Sequence, residues 1–361
     1  MESHQREQSK SLLDYVDLIV GAWFHPSGLE RIEDTGFDKA SEAGFSSVRT
    51  YNYEHSEKIA GELKKRNMSL YAGVEVRSGE FFDASDLVHD WRSQLRSDHV
   101  LRTHKLGVPL VALCRGNELR EYLKGEPPNW RFTERISQAL CKLLSATKSL
   151  IHEHGFSTPV TYAMEGLELG QDGKLSGWVV PIVEAVDVFS VNCYLMEAKD
   201  WFTLDAFKHN RQFLSDEEEA KSRLTRLEHG LRSLLGELEK FDKPLILSET
   251  GMHAGIGFRT EKRTGEKETV ITTREGKRII PIQDPKGFGK AYMQFASMLR
   301  KVSRDFPGRI KGLYIYEWRD NPYHGKIQTE NSPVHACFGL CHVDGTPKFE
   351  LSNLTSTLAM A

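Results

Sequence analysis

The sequence predicts an α/β chain folded as one closed (β/α)8 barrel, with a core over about residues 15–350 and residues 1–361 forming a single catalytic-size unit. Three observations carry this expectation. Eight apolar runs of strand length occur in order, stretches of helical period separate them, and no shift of composition or polar linker divides the chain. Most of the runs are nearly continuous in Val, Ile, Leu and Phe, as parallel strands buried on both faces should be. A length of 361 residues would admit two or three domains, but α/β barrels routinely exceed that expectation as one unit.

The strand candidates run from Asp17 to Phe24, Phe45 to Tyr51, Ser69 to Val76, Val108 to Cys114, Thr158 to Ala163, Val186 to Cys193, Pro244 to Ser248 and Ile310 to Trp318. Between the fourth and fifth, Ile136, Leu140, Leu143, Leu144, Thr147, Leu150 and Ile151 recur at helical steps. Leu224, Leu227, Leu231, Leu234, Leu235 and Leu238 do so before the seventh strand, and Tyr292, Phe295, Met298, Leu299, Val302 and Phe306 before the eighth. Gly44, Gly107, Gly155 and Gly308 stand where helices should stop, and Pro26, Pro159, Pro244 and Pro307 punctuate the joints.

One segment exceeds a minimal barrel. Between Gly255 and Asp284, Thr269 to Thr273 and Arg278 to Ile282 flank a turn at Arg274 to Lys277, which predicts a β-hairpin inserted after the seventh strand. Such an insert lies on the face where barrels keep their chemistry. An open doubly wound sheet shares the strand and helix alternation, but its nucleotide-binding form needs a glycine-rich turn. Gly21 belongs to no GxGxxG spacing, and no GxxxxGK[ST] occurs.

Charge and composition narrow the partners. Lys and Arg total 48 against 51 Asp and Glu, a net of −3, which offers no basic field for a nucleic-acid backbone. No 18 consecutive apolar residues occur, and Met1 to Lys10 is polar, so neither a membrane partner nor an export signal is expected. The odd number of cysteines (Cys114, Cys141, Cys193, Cys337 and Cys341) reads as a reducing compartment, and cytoplasmic placement is the expectation.

In a barrel the reactive side chains should stand at the C-terminal ends of the strands. The fourth strand ends in Arg115-Gly116-Asn117-Glu118, and the seventh in Ser248-Glu249-Thr250-Gly251. Two carboxylates facing one another across a barrel mouth can be split by environment into a protonated acid and an ionised nucleophile, as glycosidic cleavage requires. No GxSxG elbow offers a serine nucleophile instead. The spacing of His335, Cys337, Cys341 and His342 does not reproduce paired zinc ligands, and neither metal nor cofactor is expected.

Asn117-Glu118 on the fourth strand, with Glu249 on the seventh, resembles the clan of retaining β-glycosidases built on the (β/α)8 barrel. The Gly116-Asn117-Glu118 and Ser248-Glu249-Thr250-Gly251 wording is similar to β-1,3-glucanase-type members. Phe338-Gly339-Leu340 with Asp344-Gly345-Thr346-Pro347-Lys348 resembles the tail of the barrel in β-galactosidase and β-glucuronidase relatives. The resemblance covers roughly Asp17 to Lys348.

It implies that Glu249 is the nucleophile and Glu118 the acid and base, about 5–5.5 Å apart, cleaving a β-linked oligo- or polysaccharide by double displacement. By the same resemblance Arg49 keeps the nucleophile ionised, Asn117 donates to the sugar 2-hydroxyl, Tyr194 orients the nucleophile and Trp318 floors the sugar site. Trp23 and His253 are further companions on either a structural or a functional footing. Glu75 and Arg77 are expected to form a salt bridge, and Trp130 and Trp201 to line outer subsites or pack against helices. A transglycosylase would use the same glutamates, and a catalytically inactive carbohydrate-binding barrel would keep the cleft without needing a nucleophile.

Overall fold

A computed structural model of the chain describes residues 11–24, 36–74, 90–117, 130–166, 174–195, 205–260, 271–272, 278–321 and 336–359. Strands β1 (Ile19–Trp23), β2 (Ser47–Arg49), β3 (Ser69–Gly73), β4 (Leu110–Asn117), β5 (Val160–Glu165), β6 (Phe189–Asn192), β7 (Leu245–Thr250) and β11 (Ile310–Ile315) form a closed parallel barrel. Neighbours follow chain order, and β11 pairs back onto β1. Three further strands form the insert after β7: β8 (Gly255–Thr260), β9 (Ile271–Thr272) and β10 (Arg278–Gln283).

The helices are α1 (Phe37–Glu42), α2 (Tyr53–Lys65), α3 (Ser97–Lys105), α4 (Trp130–Glu153) and α5 (Val180–Ala185) in the first part of the chain. They continue with α6 (Asp205–Ser215), α7 (Glu217–Glu239), α8 (Pro285–Asp305) and α9 (Leu351–Ala359). Their apolar stripes explain their placement. Ile136, Leu140, Leu143, Leu144 and Ile151 of α4 are buried, as are Leu231, Leu234, Leu235 and Leu238 of α7 and Tyr292, Phe295, Leu299 and Val302 of α8. Side-chain caps start three of these helices: Asn52 accepts from the His55 N–H, Asp216 from Glu218 and Glu219, and Asp284 from Gly287. No helix among the described residues is long and apolar enough to cross a membrane.

The barrel interior is packed in layers. At the end where the strands begin, a short turn at Leu12–Asp14 places Leu13 among Ile19, Val111 and Ile246, and Lys311 Nζ donates to the Val16 carbonyl at 3.0 Å. The chain's lead thus plugs the barrel bottom. Above it lies a layer of hydroxyls: Ser47 Oγ and Tyr314 Oη stand 2.9 Å apart, while Tyr71 Oη and Thr161 Oγ1 both donate to Ser190 Oγ, at 3.1 and 2.8 Å. The next layer is the mouth.

The insert is a three-stranded antiparallel sheet in the order β8-β10-β9. The expected hairpin corresponds to β9 and β10, and its turn lies outside the described residues. The additional strand β8 escaped the sequence pattern because two of its six residues, Gly255 and Gly257, carry no side chain to show alternation. The sheet is anchored, since Gln283 Nε2 donates to Asp320 Oδ2 at 2.8 Å and Arg211 Nε to the Ile256 carbonyl at 3.0 Å. Ile279 on β10 is buried beside Trp23, Tyr316 and Phe338.

Candidate active site

Two strands reach the mouth with an extra residue. From Val191 to Asn192, β6 takes one step while β7 goes from Leu247 to Glu249; on the other side β11 takes two steps while β7 takes three, Leu247 to Thr250. A bulge on β7 follows, and a bulge re-aims side chains that strict alternation would separate. Ser248 and Glu249, adjacent in sequence, consequently both serve the mouth: Ser248 Oγ donates to Asn192 Oδ1 at 2.8 Å, and the Glu249 carboxylate meets Arg49.

On β4 three steps from Cys114 to Asn117 match two on β5, Thr161 to Ala163. Gly116 supplies a φ of 115° at this bulge, a conformation that side chains disfavour. Arg115 turns outward and donates to the carbonyls of Val74, Gln94 and Leu95 at 3.0, 2.6 and 3.1 Å, pinning the chain that leaves β3. Asn117 turns inward. Gly251 after β7 has a steric reason of its own, because a Cβ there would come within 2.3 Å of the Tyr316 carbonyl oxygen.

These strand ends converge on Glu249. Arg49 Nη1 lies 2.6 Å from Glu249 Oε1, and the two side chains are 1% and 4% exposed. The same guanidinium donates to the Ser248 carbonyl at 2.6 Å and, through Nη2, to Asn117 Oδ1 at 2.9 Å. Asn192 Nδ2 donates to the same Asn117 oxygen at 2.9 Å. Arg49 is sandwiched between phenol rings, 4.9 Å from the Tyr51 centroid and 5.5 Å from that of Tyr71. Burial opposes its charge, but the Glu249 carboxylate, with Tyr51 and Tyr71, outweighs burial and raises its pKa.

Two phenols complete the carboxylate's shell. Tyr51 Oη donates to Glu249 Oε1 and Tyr194 Oη to Oε2. Burial and the neighbouring Glu249 charge push the Tyr51 phenol well above its ordinary pKa, so it remains a donor. The Tyr51 ring also packs tilted against Trp23, at a centroid distance of 5.2 Å.

The structure therefore brings Arg49, Asn117, Tyr194 and Glu249 into one network. Trp23 is buried beneath it, stacked on Tyr316 with ring centroids 4.8 Å apart. His253 sits one ring further out: it is fully buried, its carbonyl accepts from Asn210 Nδ2 at 2.6 Å, and its ring lies 5.7 Å from that of Phe338. Trp318 is the correction. Expected as the floor of the sugar site, it instead packs outside the barrel between Phe24 and Phe45, at centroid distances of 5.4 and 5.6 Å, with Gly36 against its Nε1. β11 ends at Ile315, and the chain turns away after Tyr316, so Tyr316 is the aromatic residue of this strand that reaches the mouth cluster.

Glu118, Glu75, Arg77, Trp201 and His335 lie outside the described residues, as does the side chain of Trp130. Cys337 and Cys341 are buried free thiols. Tyr51 and Asn192 are the site residues that the sequence reading passed over. Each lies within two residues of a predicted one: Tyr51 just beyond Arg49 at the end of β2, and Asn192 at the end of β6 just before Tyr194.

No protein-family profile and no curated protein sequence matches the chain. Solved structures do resemble it. An endo-laminarinase from Formosa Hel1_33_131 matches with a TM-score of 0.57 at 16% identity, over 94% of this chain and 87% of that one. A fungal β-1,4-galactanase matches with a TM-score of 0.57 at 13% identity, over 93% and 98%. A β-glucuronidase from Bifidobacterium dentium gives 0.52 at 15% identity, over 94% of this chain but 46% of the larger enzyme. At these identities the likeness establishes the shared fold, a closed eight-stranded parallel barrel with interleaved helices, as found in glycoside hydrolases.

Proposed function

We propose that the chain is a retaining β-glycoside hydrolase, one catalytic barrel that cleaves a β-linked oligo- or polysaccharide by double displacement. The observation that carries this reading is the Glu249 carboxylate, held at a barrel mouth by both oxygens: Oε1 pairs with the Arg49 guanidinium and accepts from Tyr51, and Oε2 accepts from Tyr194. A structural ion pair needs no such orientation of both oxygens, whereas a nucleophile does.

Glu249 attacks the anomeric carbon while Glu118, next in sequence to Asn117, protonates the leaving oxygen. A glycosyl ester on Glu249 results. Glu118 then takes a proton from water, which displaces Glu249 with net retention. With Oδ1 committed to Arg49 and Asn192, the group that Asn117 keeps for a ligand is its Nδ2 donor, suited to a sugar hydroxyl. The half-buried ring of Tyr194 suits the apolar C–H face of a pyranose. Likeness to an endo-laminarinase and a galactanase favours a β-glucan or β-galactan as the first substrates to try.

The test is a screen of aryl β-glycosides and β-glucans with proton NMR of the first-formed anomer, joined to labelling by a 2-deoxy-2-fluoro glycoside. A first-formed β-anomer and a label on Glu249 are expected. An α-anomer first, or a label elsewhere, would reject the retaining assignment, and sugar binding without turnover would favour an inactive carbohydrate-binding barrel.

A further inference from the structure

The two oxygens of Glu249 are not equivalent. Oε1 accepts the Tyr51 hydroxyl and also faces the guanidinium, with Arg49 Nη1 at 2.6 Å as an ion pair. Among the described residues Oε2 accepts a single donor, Tyr194 Oη. Oε2 therefore keeps a lone pair for bond formation, while Oε1 is anchored.

Resting on the glycosidase reading above, we propose that Tyr51 is a positioning residue for the second half of the reaction: it stabilises Glu249 as a leaving group rather than activating it as a nucleophile. In the first step Oε2 bonds to the anomeric carbon, the bond to the leaving oxygen breaks, and that oxygen takes a proton from the acid. Oε1 becomes the ester carbonyl, still facing Arg49 and Tyr51. In the second step the oxygen of water bonds to the anomeric carbon, and the proton of water passes to the carboxylate that had served as acid. The electron pair of the carbon–Oε2 bond returns to Glu249.

Hydrogen bonds to a full carboxylate are stronger than those to an ester carbonyl. The Tyr51 contact therefore stabilises free Glu249 more than the first transition state, which does not speed attack. It stabilises the second transition state, where negative charge returns, more than the ester. The contribution is asymmetric. Tyr51 is suited to this because its ring is held by packing of its own, tilted on Trp23 at 5.2 Å and covering the Arg49 guanidinium at 4.9 Å, so that removing the hydroxyl alone leaves that packing in place.

Tyr51→Phe tests this with 2,4-dinitrophenyl β-D-glucoside and β-D-galactoside, whose leaving groups make hydrolysis of the ester limiting. The expected result is a fall of about tenfold in kcat with a parallel fall in KM, leaving kcat/KM within about threefold of the parent. The 2-deoxy-2-fluoroglycosyl ester on Glu249 should decay about tenfold more slowly in the variant. Only folded protein acquires that label, so its half-life is independent of the folded fraction. A loss of kcat/KM equal to the loss of kcat, or an unchanged decay of the labelled ester, overturns the role of Tyr51 alone. Absence of dinitrophenolate release by the parent protein, or labelling away from Glu249, overturns the glycosidase reading with it.

Discussion

Arg49 Nη1 and Glu249 Oε1 approach to 2.6 Å in a site where both side chains are almost wholly removed from water. Such a pair is costly to assemble and costlier to break, because the partner left behind is an unpaired buried charge. Arg49→Met should therefore destabilise the fold by about 3–5 kcal/mol in urea unfolding. Arg49→Lys keeps the charge but not the fork that spans Glu249, the Ser248 carbonyl and Asn117. Turnover should drop on the order of a hundredfold in this variant with a smaller stability loss.

The two glutamates should fail differently. Glu249→Gln is expected to lose on the order of 10⁴-fold or more in turnover of every substrate, since no ester can form. Glu118→Ala should still release a good leaving group in a first burst and then stall at deglycosylation. Stopped-flow release of dinitrophenolate distinguishes the two, and full activity in Glu249→Gln would end the assignment.

His55 on α2 sets a pH dependence of stability. Its ring is buried, neither ring nitrogen has a hydrogen-bond partner among the described residues, and burial, with a smaller contribution from Lys58, lowers its pKa to about 4. In the unfolded chain histidine takes a proton near its ordinary pKa of about 6.5. As pH falls from there to about 4, the unfolded state gains a proton that the folded state refuses, and about 3 kcal/mol of stability is lost. His55→Leu should flatten that part of the profile in urea unfolding between pH 7 and pH 4.

Glu317 gives the opposite slope. It is fully buried behind β11 with neither oxygen hydrogen-bonded among the described residues; burial and then the Asp320 charge push its carboxyl well above the usual range, against the pull of Lys348. Between its unfolded and folded pKa the folded state holds a proton that the unfolded state has lost, so stability is fullest at low pH and declines as pH rises. Glu317→Met should consequently stabilise the protein at pH 8 and hardly at all near pH 4. The difference is expected to grow by up to about 1.4 kcal/mol per pH unit across that window. Lys348, whose Nζ pairs with Asp320 Oδ1 at 2.7 Å, remains compensated in this variant.

Much of the architecture was legible because the barrel strands are short, apolar and separated by stretches of helical period, and because helices such as α4, α7 and α8 bury the very stripes that their periodicity displays. Asn117 and Glu249 stand out as polar residues ending apolar strands, whereas Arg49 and Tyr194 follow from the resemblance. Strand β8 could not be picked out, since glycines interrupt its pattern, and Trp318, assigned by resemblance on a strand expected to run as far as Trp318, lies away from the mouth because β11 ends at Ile315. Tyr51 stands two residues beyond Arg49, past the end of β2, where strand alternation no longer says which way a side chain points.

By itself the sequence determined the alternation of strands and helices, and with it the end of the barrel at which Arg49, Asn117 and Glu249 emerge. Only the tertiary structure decided which side chains face one another there. Period-two alternation specifies a face only while each strand advances in step with its neighbours, and β4 and β7 each slip by one residue just before the mouth. Those two bulges turn Asn117 and Glu249 toward Arg49, and the turn after Tyr316 removes Trp318 from the same space. Neither bulge is encoded in the pattern of a single strand, because each is a mismatch between paired strands that are separated in sequence by whole helices.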